Sequence, residues 1–168
     1  MSAGNAEMPD LPALPDAEAA LADLAARMAP AVAHDAAFVG IYSGGAWVAE
    51  RLAKMLPGDH PVGFIDVAFY RDDYKRSGLK ANTRRTELPF DVEGATIVLV
   101  DDVLFTGRSV RAAINELFDF GRPDAIELAV LVDRGGRELP IEPTYTGASL
   151  AVARDLSIVL SRDGDGRL

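Results

Sequence analysis

The stretch from Ala95 to Phe120 constrains the fold more than any other part of the chain. Residues 95–100 (ATIVLV) are wholly apolar and rich in β-branched side chains, the pattern of a central parallel strand covered on both faces. Two acids, Asp101 and Asp102, follow at once. After Val103, Leu104, Phe105, Thr106, Gly107, Arg108 and Ser109, apolar residues recur at helical spacing (Val110, Ala113, Ile114, Leu117, Phe118) until Gly121 and Pro123 end the helix. A buried strand that turns directly into a helix belongs in a layered α/β sheet, where ligands bind beyond the carboxyl ends of the strands. The acid pair falls at that edge.

The rest of the sequence repeats the theme. Asp16 stands as an N-cap before Ala20, Leu21, Leu24, Ala25, Met28 and Val32, which predicts a packing helix. Residues 37–41 (AFVGI) read as a buried strand, Ser43-Gly44-Gly45 as a turn, and residues 46–56 as a helix stopped by Pro57-Gly58. Trp47 on that helix reads as core packing. Residues 62–69 and 125–132 read as further strands, and 156–160 as a last one. The alternation predicts one α/β domain over residues 1–168, an open, mostly parallel twisted sheet with helices on both faces. The first fifteen residues are expected to be flexible and the last seven to fray.

Composition narrows the function classes. With no cysteine, disulfides, thiolate metal sites and cysteine nucleophiles are excluded. The opening carries no cation before Arg27 and no long apolar run, so neither a secretory signal nor a membrane span is predicted, and the expected location is the cytoplasm. A net charge of −9 argues against broad nucleic-acid coating. Yet Arg71, Lys75, Arg76, Lys80, Arg84 and Arg85, six of the 17 basic residues, fall within residues 70–87, a polar stretch without periodicity. Such a long connection reads as a flexible lid that meets an anion. His34 and His60 are isolated and read as surface or helix-end residues, and the terminal Asp163-Gly164-Asp165-Gly166 lacks the downstream Glu of a calcium loop.

The chemistry concentrates after residue 100. Adjacent side chains of an extended strand face opposite ways, so Asp101 and Asp102 reach one ligand together only if the chain turns as it leaves the sheet. Neighbouring carboxylates suit a vicinal diol, or a magnesium ion through waters. Thr106-Gly107-Arg108-Ser109 adds two hydroxyls, a glycine that admits close approach to backbone N–H groups, and a helix N-terminus. Acids for a ribose beside a phosphate site describe a ribose 5-phosphate cradle.

Residues 98–110, VLVDDVLFTGRSV, resemble the donor-binding motif of the type I phosphoribosyltransferases. With YRDD (70–73), GRP (121–123) and LAVLVDRGGRELPI (128–141), the resemblance extends from about Val39 to Gly147 and is greatest to the bifunctional pyrimidine operon regulators with uracil phosphoribosyltransferase activity. It implies that Asp101 and Asp102 hold the ribose of 5-phosphoribosyl-1-pyrophosphate (PRPP), and that Phe105, Thr106, Gly107, Arg108 and Ser109 hold its 5-phosphate. Ser43, Gly44 and Gly45 would meet the pyrophosphate, helped by Arg71 and Lys75 of the lid. The regulators usually carry Thr-Arg-Gly where this chain has Ser-Gly-Gly, so Gly44 lacks a guanidinium.

The same resemblance implies Mg2+ as cofactor, with Asp101 and Asp102 as its ligands through water, and uracil as acceptor, giving UMP. Purine-type relatives usually have an aspartate where this chain has Phe105, which points to a pyrimidine. Val132, Asp133 and Arg134 lie where the base-binding hood begins. No general base is assigned. A competing expectation is a uridine-nucleotide-sensing RNA attenuator; here Arg134, Arg137 and Arg154 are basic, but Gly136, Glu142 and the neutral residues 147–150 are not. A phosphoacceptor receiver fits less well, because it places its acid pair near the N-terminus. The family implies a homodimer or higher oligomer.

Overall fold

Four of the five strands in the computed structural model, which describes residues 11–67 and 85–168, are the apolar runs of the sequence. They are β1 (Ala37–Ile41), β2 (Val62–Ile65), β3 (Thr96–Leu104) and β4 (Ala125–Asp133); β5 (Tyr145–Ser149) is the fifth. The helices are α1 (Ala17–Met28), α2 (Gly44–Met55) and α3 (Arg108–Phe120). All strands pair in parallel, in the order β2-β1-β3-β4-β5, so the acid-bearing strand is central.

Period-two alternation divides the central strand between two cores. Val98 and Val100 of β3 join Phe38 and Leu131 beneath α1 and α2, which contribute Leu21, Leu24, Met28, Val48 and Leu52. Ile97 and Leu99 point the other way and join Val39, Ile41 and Val130 beneath Val110, Ala113 and Leu117 of α3. Helices therefore cover both faces of an open sheet, as the β–α alternation requires. Asp16 caps α1 by accepting the Ala19 N–H at 2.8 Å. Among the described residues no helix is long and apolar enough to cross a membrane.

Four expectations are corrected. First, residues 156–160 form no strand: Val159 is 81% exposed, and the sheet edge is taken by β5, whose YTGAS sequence is too polar and small to announce itself. Second, β3 does not stop before the acids but continues through Asp101 and Asp102 to Leu104, because β4 stays beside it, Val103 opposite Val132. Third, His60 is buried, with Nδ1 2.8 Å from the Ala36 carbonyl and Nε2 3.0 Å from that of Pro57. Fourth, the terminal residues form a turn in which the Asp163 carboxylate accepts the N–H groups of Asp165 and Arg167, both at 2.9 Å. Most of the predicted lid, with Arg71 and Lys75, lies outside the described residues. Its last residue, Glu87, bridges back antiparallel to Phe64, just ahead of the end of β2.

The terminal turn is fastened to α1. The Leu168 N–H donates to Glu18 Oε1 at 2.9 Å, and Arg51 of α2 grips both Glu18 oxygens at 3.0 and 2.8 Å. These bonds, Arg51 first and then Leu168, hold the Glu18 carboxyl down from its usual 4.5 to about 2. A depressed carboxylate contributes stability that is present above its unfolded pKa and is lost as pH falls toward the folded value. Glu18→Gln should therefore flatten the dependence of the urea midpoint on pH between about 4.5 and 2. An unchanged slope in that window would show that the pair contributes nothing.

Candidate functional site

At the carboxyl edge of the sheet, α2 and α3 begin on either side of the end of β3 and leave a cleft of 710 Å³. The close fit of α2 depends on two missing side chains. A Cβ on Gly45 would sit 2.5 Å from the Val100 carbonyl oxygen and 3.1 Å from the Asp101 Cα, so only glycine lets the helix start press against β3. A Cβ on Gly44 would sit 2.2 Å from Asp102 Oδ2, in space that the carboxylate fills.

Asp101 is 5% exposed and Asp102 half-buried, and both line the cleft. Asp101 Oδ1 accepts the Asp102 N–H at 2.9 Å, and Asp102 Oδ1 accepts the Val103 N–H at 2.8 Å. Each carboxylate is braced by the main chain immediately after it, which fixes its direction at the strand end. Neither Ser43 nor Gly107, the residues preceding α2 and α3, makes a side-chain capping bond, and neither helix has an acid in its first turn. Both helix starts therefore keep the electrostatic character of anion sites.

The turn into α3 is locked from behind. Gly107 adopts φ +92°, and an added Cβ would lie 3.0 Å from Ile141. The Thr106 carbonyl accepts the N–H groups of Glu138 and Leu139 at 3.0 and 3.1 Å, while Thr106 Oγ1 accepts that of Arg108 at 3.2 Å. Thr106 and Ser109 line the cleft, whereas Gly107 and Arg108 do not. The Arg108 side chain turns away to Glu138 at 2.9 Å, and Glu138 also holds Arg154 at 2.6 Å. The Glu138 carboxyl is held below its usual range, first by the Arg108 hydrogen bond and further by Arg154.

Phe105 forms one wall. The Arg134 guanidinium carbon lies 3.9 Å from its ring centroid and that of Arg154 5.3 Å. Gly136, at φ +83°, lies so near the ring that an added Cβ would come within 2.6 Å of it. Burial, reinforced by nearby Arg154, pushes the Arg134 guanidinium below its ordinary value.

Of the sequence-derived candidates, Ser43, Gly44, Asp101, Asp102, Phe105, Thr106, Ser109 and Arg134 share this cleft. Val132 and Asp133 do not line it. Val132 packs in the core beneath α1 and α2. Asp133 is gripped by Arg137 through both oxygens, at 2.9 and 2.7 Å. Burial works to raise the Asp133 carboxyl, but the bonds from Arg137 and the Gly135 N–H outweigh it and hold it below its usual range. Arg137 also donates to the Phe105 carbonyl at 3.1 Å, so this pair braces the wall from outside.

Sequence reasoning missed Trp47, Glu138, Arg154 and the wall formed by residues 156–160. Trp47 was expected in the core, yet it faces the cleft with the Arg162 guanidinium carbon 4.8 Å from its ring. Its position one turn after Gly44 was the available signal.

Residues 10–154 match the family model of the phosphoribosyl transferase domain. The "Bifunctional protein PyrR" of Ralstonia nicotianae is 57% identical over 146 residues, covering 87% of this chain and 83% of that protein. The protein of the same name from Pseudomonas fluorescens is 48% identical over 140 residues, 83% of each chain. Among solved structures, a hypoxanthine phosphoribosyltransferase of Staphylococcus aureus superposes with a TM-score of 0.64 at 20% identity, over 84% of this chain and 79% of that one. The hypoxanthine phosphoribosyltransferase of Trypanosoma cruzi gives 0.61 at 18% identity, over 81% and 79%. At those identities the structures speak for the fold, and the sequence matches speak for the family. With its open parallel sheet and its strand–acid pair–turn–helix segment, the chain belongs to the type I phosphoribosyltransferase family and stands with the proteins named PyrR.

Proposed function

We propose that the protein transfers the phosphoribosyl group of PRPP to uracil, forming UMP and pyrophosphate. The observation that supports this most is the meeting of Asp101, Asp102, Thr106 and Ser109 in one cleft walled by Phe105. The acids accept the ribose hydroxyl protons, and the backbone of residues 106–109 holds the 5-phosphate at the start of α3. Ser43 and the start of α2 face the pyrophosphate, and Arg71 and Lys75, outside the described residues, are its proposed further contacts. Phe105 offers an aromatic surface and no carboxylate, which suits a pyrimidine and gives a purine ring nitrogen nothing to share a proton with. Arg134 acts at this base end of the cleft.

The bond to C1 of the ribose passes from pyrophosphate oxygen to uracil N1, whose proton is released to solvent as pyrophosphate departs. Positive charge grows on the sugar and negative charge on the leaving group, so the contribution of this chain is alignment and the electrostatics of two helix starts. Magnesium typically takes one or two carboxylates together with substrate phosphates and waters, and the Asp101–Asp102 pair fits that demand. Bound with the donor, it would neutralise the departing pyrophosphate. Among the described residues no group of three or more His, Cys, Asp or Glu side chains that could hold a metal ion is present.

Incubation with labelled uracil, PRPP and Mg2+ should yield labelled UMP, with no product from orotate or hypoxanthine. Turnover of hypoxanthine without turnover of uracil would overturn the assignment. A second activity, binding of a pyrimidine-operon leader RNA under the control of uridine nucleotides, is favoured by the likeness to proteins named bifunctional. Against it, Arg137 and Arg154 are engaged by Asp133 and Glu138. Filter binding across a salt titration decides it; no retention at low salt would remove the regulator. Assembly as a homodimer or higher oligomer and a cytoplasmic location belong to the same reading.

A further inference from the structure

Residues 150–160 belong to no helix or strand, yet Arg154 and residues 156–160 wall the cleft, so something other than a ladder must hold the segment in place. At its start the segment is joined to the sheet by the Leu150 N–H, which donates to the Asp133 carbonyl at 2.9 Å. The Leu150 side chain and, farther on, Ile158 and Leu160 pack on the core beneath α1 and α2. Between these points, where the segment crosses the cleft, two of its carbonyls converge on one side chain. Arg134 Nη2 donates to the Ala153 carbonyl at 2.8 Å and Nη1 to that of Leu156 at 2.6 Å.

Arg134 is 6% exposed, and its own N–H donates to the Leu104 carbonyl at 3.0 Å, so its stem is fixed to the end of β3. The flat guanidinium lies 3.9 Å from the Phe105 ring centroid. One planar group therefore sets both the strap and the aromatic wall. Two parallel edge donors and a stacking face are the particular capacity of arginine, which a lysine ammonium lacks.

We propose that Arg134 is a positioning residue: it fastens the strap of residues 153–160 across the cleft and sets the plane of Phe105, so that a pyrimidine enters a preformed slot. The role differs from direct reading of the base. The two terminal nitrogens are occupied by the strap, and Nε is sealed in, with no hydrogen-bond partner. Such a side chain acts through what it holds. Preorganisation of this kind lowers the ordering cost of binding the base, and its loss raises the KM for the base more than it lowers kcat.

The inference about the base rests on the uracil reading, whereas the fastening of the strap is tested independently of it. Arg154, on the strap, provides a trypsin site whose side chain is 61% exposed and which lies between the Ala153 and Leu156 carbonyls that Arg134 holds. In Arg134→Gln the cut after Arg154, followed by mass spectrometry, should be faster by about tenfold or more, as local opening becomes easier. The KM for uracil should rise by about tenfold, with a smaller change in kcat. Arg134→Lys, which keeps the charge and one donor nitrogen but loses the planar fork and the flat stack, should fall between. A raised KM with an unchanged cutting rate would mean that Arg134 touches the base itself, and would overturn the proposal. So would unchanged values of both.

If the glutamine variant fails to fold, the wild type still decides the matter. Its cut after Arg154 should be far slower when native than when unfolded in urea, and equal rates would overturn the fastened strap. Absence of uracil turnover in the wild type would defeat the uracil assignment and leave the cutting comparison intact.

Discussion

Replacing Asp101 and Asp102 together by asparagine should abolish the donor binding and transferase activity proposed for the protein while leaving the fold in place. Charge-assisted hydrogen bonds of the kind proposed to the ribose hydroxyls are worth about 1.5–3 kcal/mol each. Losing the charge on both should weaken donor binding by about 3–6 kcal/mol, and each 1.4 kcal/mol is about tenfold in affinity. A decrease of at least about a hundredfold is therefore expected in calorimetry with PRPP and Mg2+. The fold should survive because each carboxylate accepts a neighbouring backbone N–H, Asp101 that of Asp102 and Asp102 that of Val103. An amide oxygen performs that duty equally well. Thermal unfolding supplies the control: a Tm near that of the wild type with undiminished donor affinity would remove the acid pair from the site.

The reason this pair was legible in sequence is that one continuous segment builds half the cleft. From Val98 to Ser109 the chain runs from buried strand to acids to turn to helix, so order along the sequence becomes order in space. Apolar runs buried on both faces identified β1, β3 and β4 for the same reason. The other half of the cleft had no such continuity. Trp47 comes from a helix about fifty residues upstream, and helical periodicity alone does not say whether an aromatic faces the core or the mouth of a site.

At the C-terminus the hydrophobic signal was misleading. LSIVL at 156–160 has strand-like composition, but its apolar residues serve a strap whose Ile158 and Leu160 touch the core while Val159 faces solvent. The true edge strand, YTGAS, needs few large apolar side chains because α1 comes so near it. A Cβ on Gly147 would stand 2.7 Å from the Ala20 carbonyl oxygen. Close approach replaced hydrophobic bulk, and composition does not report it. The pairing of Asp133 with Arg137 was hidden for a different reason. The i,i+4 spacing is visible in the sequence, but it reads as a pair only once the backbone after β4 brings the two side chains together.

The seam between α2 and β3 gives the second large effect. Gly45→Ala should impair both stability and catalysis, although intrinsic propensity alone predicts the reverse, since alanine favours a helix over glycine by about 1 kcal/mol. The opposing term is steric. The new Cβ would stand 2.5 Å from the Val100 carbonyl oxygen and 3.1 Å from the Asp101 Cα, both main-chain atoms of the central strand, so no side-chain rotation relieves the contact. Overpacking of that kind costs about 1–3 kcal/mol, enough to cancel the propensity gain and lower the urea midpoint. Relief requires the start of α2 to move away from the acids, and a displacement of about 1 Å at a reacting centre can cost on the order of a hundredfold in rate. Activity should therefore fall much further than stability. Gly164→Ala, where nothing lies within 4 Å of the added carbon, serves as the comparison and should stay within about 0.5 kcal/mol of the wild type. A Gly45→Ala protein with raised stability and full activity would mean that the seam yields freely, and that the spacing of α2 from Asp101 does not set the geometry of the cleft.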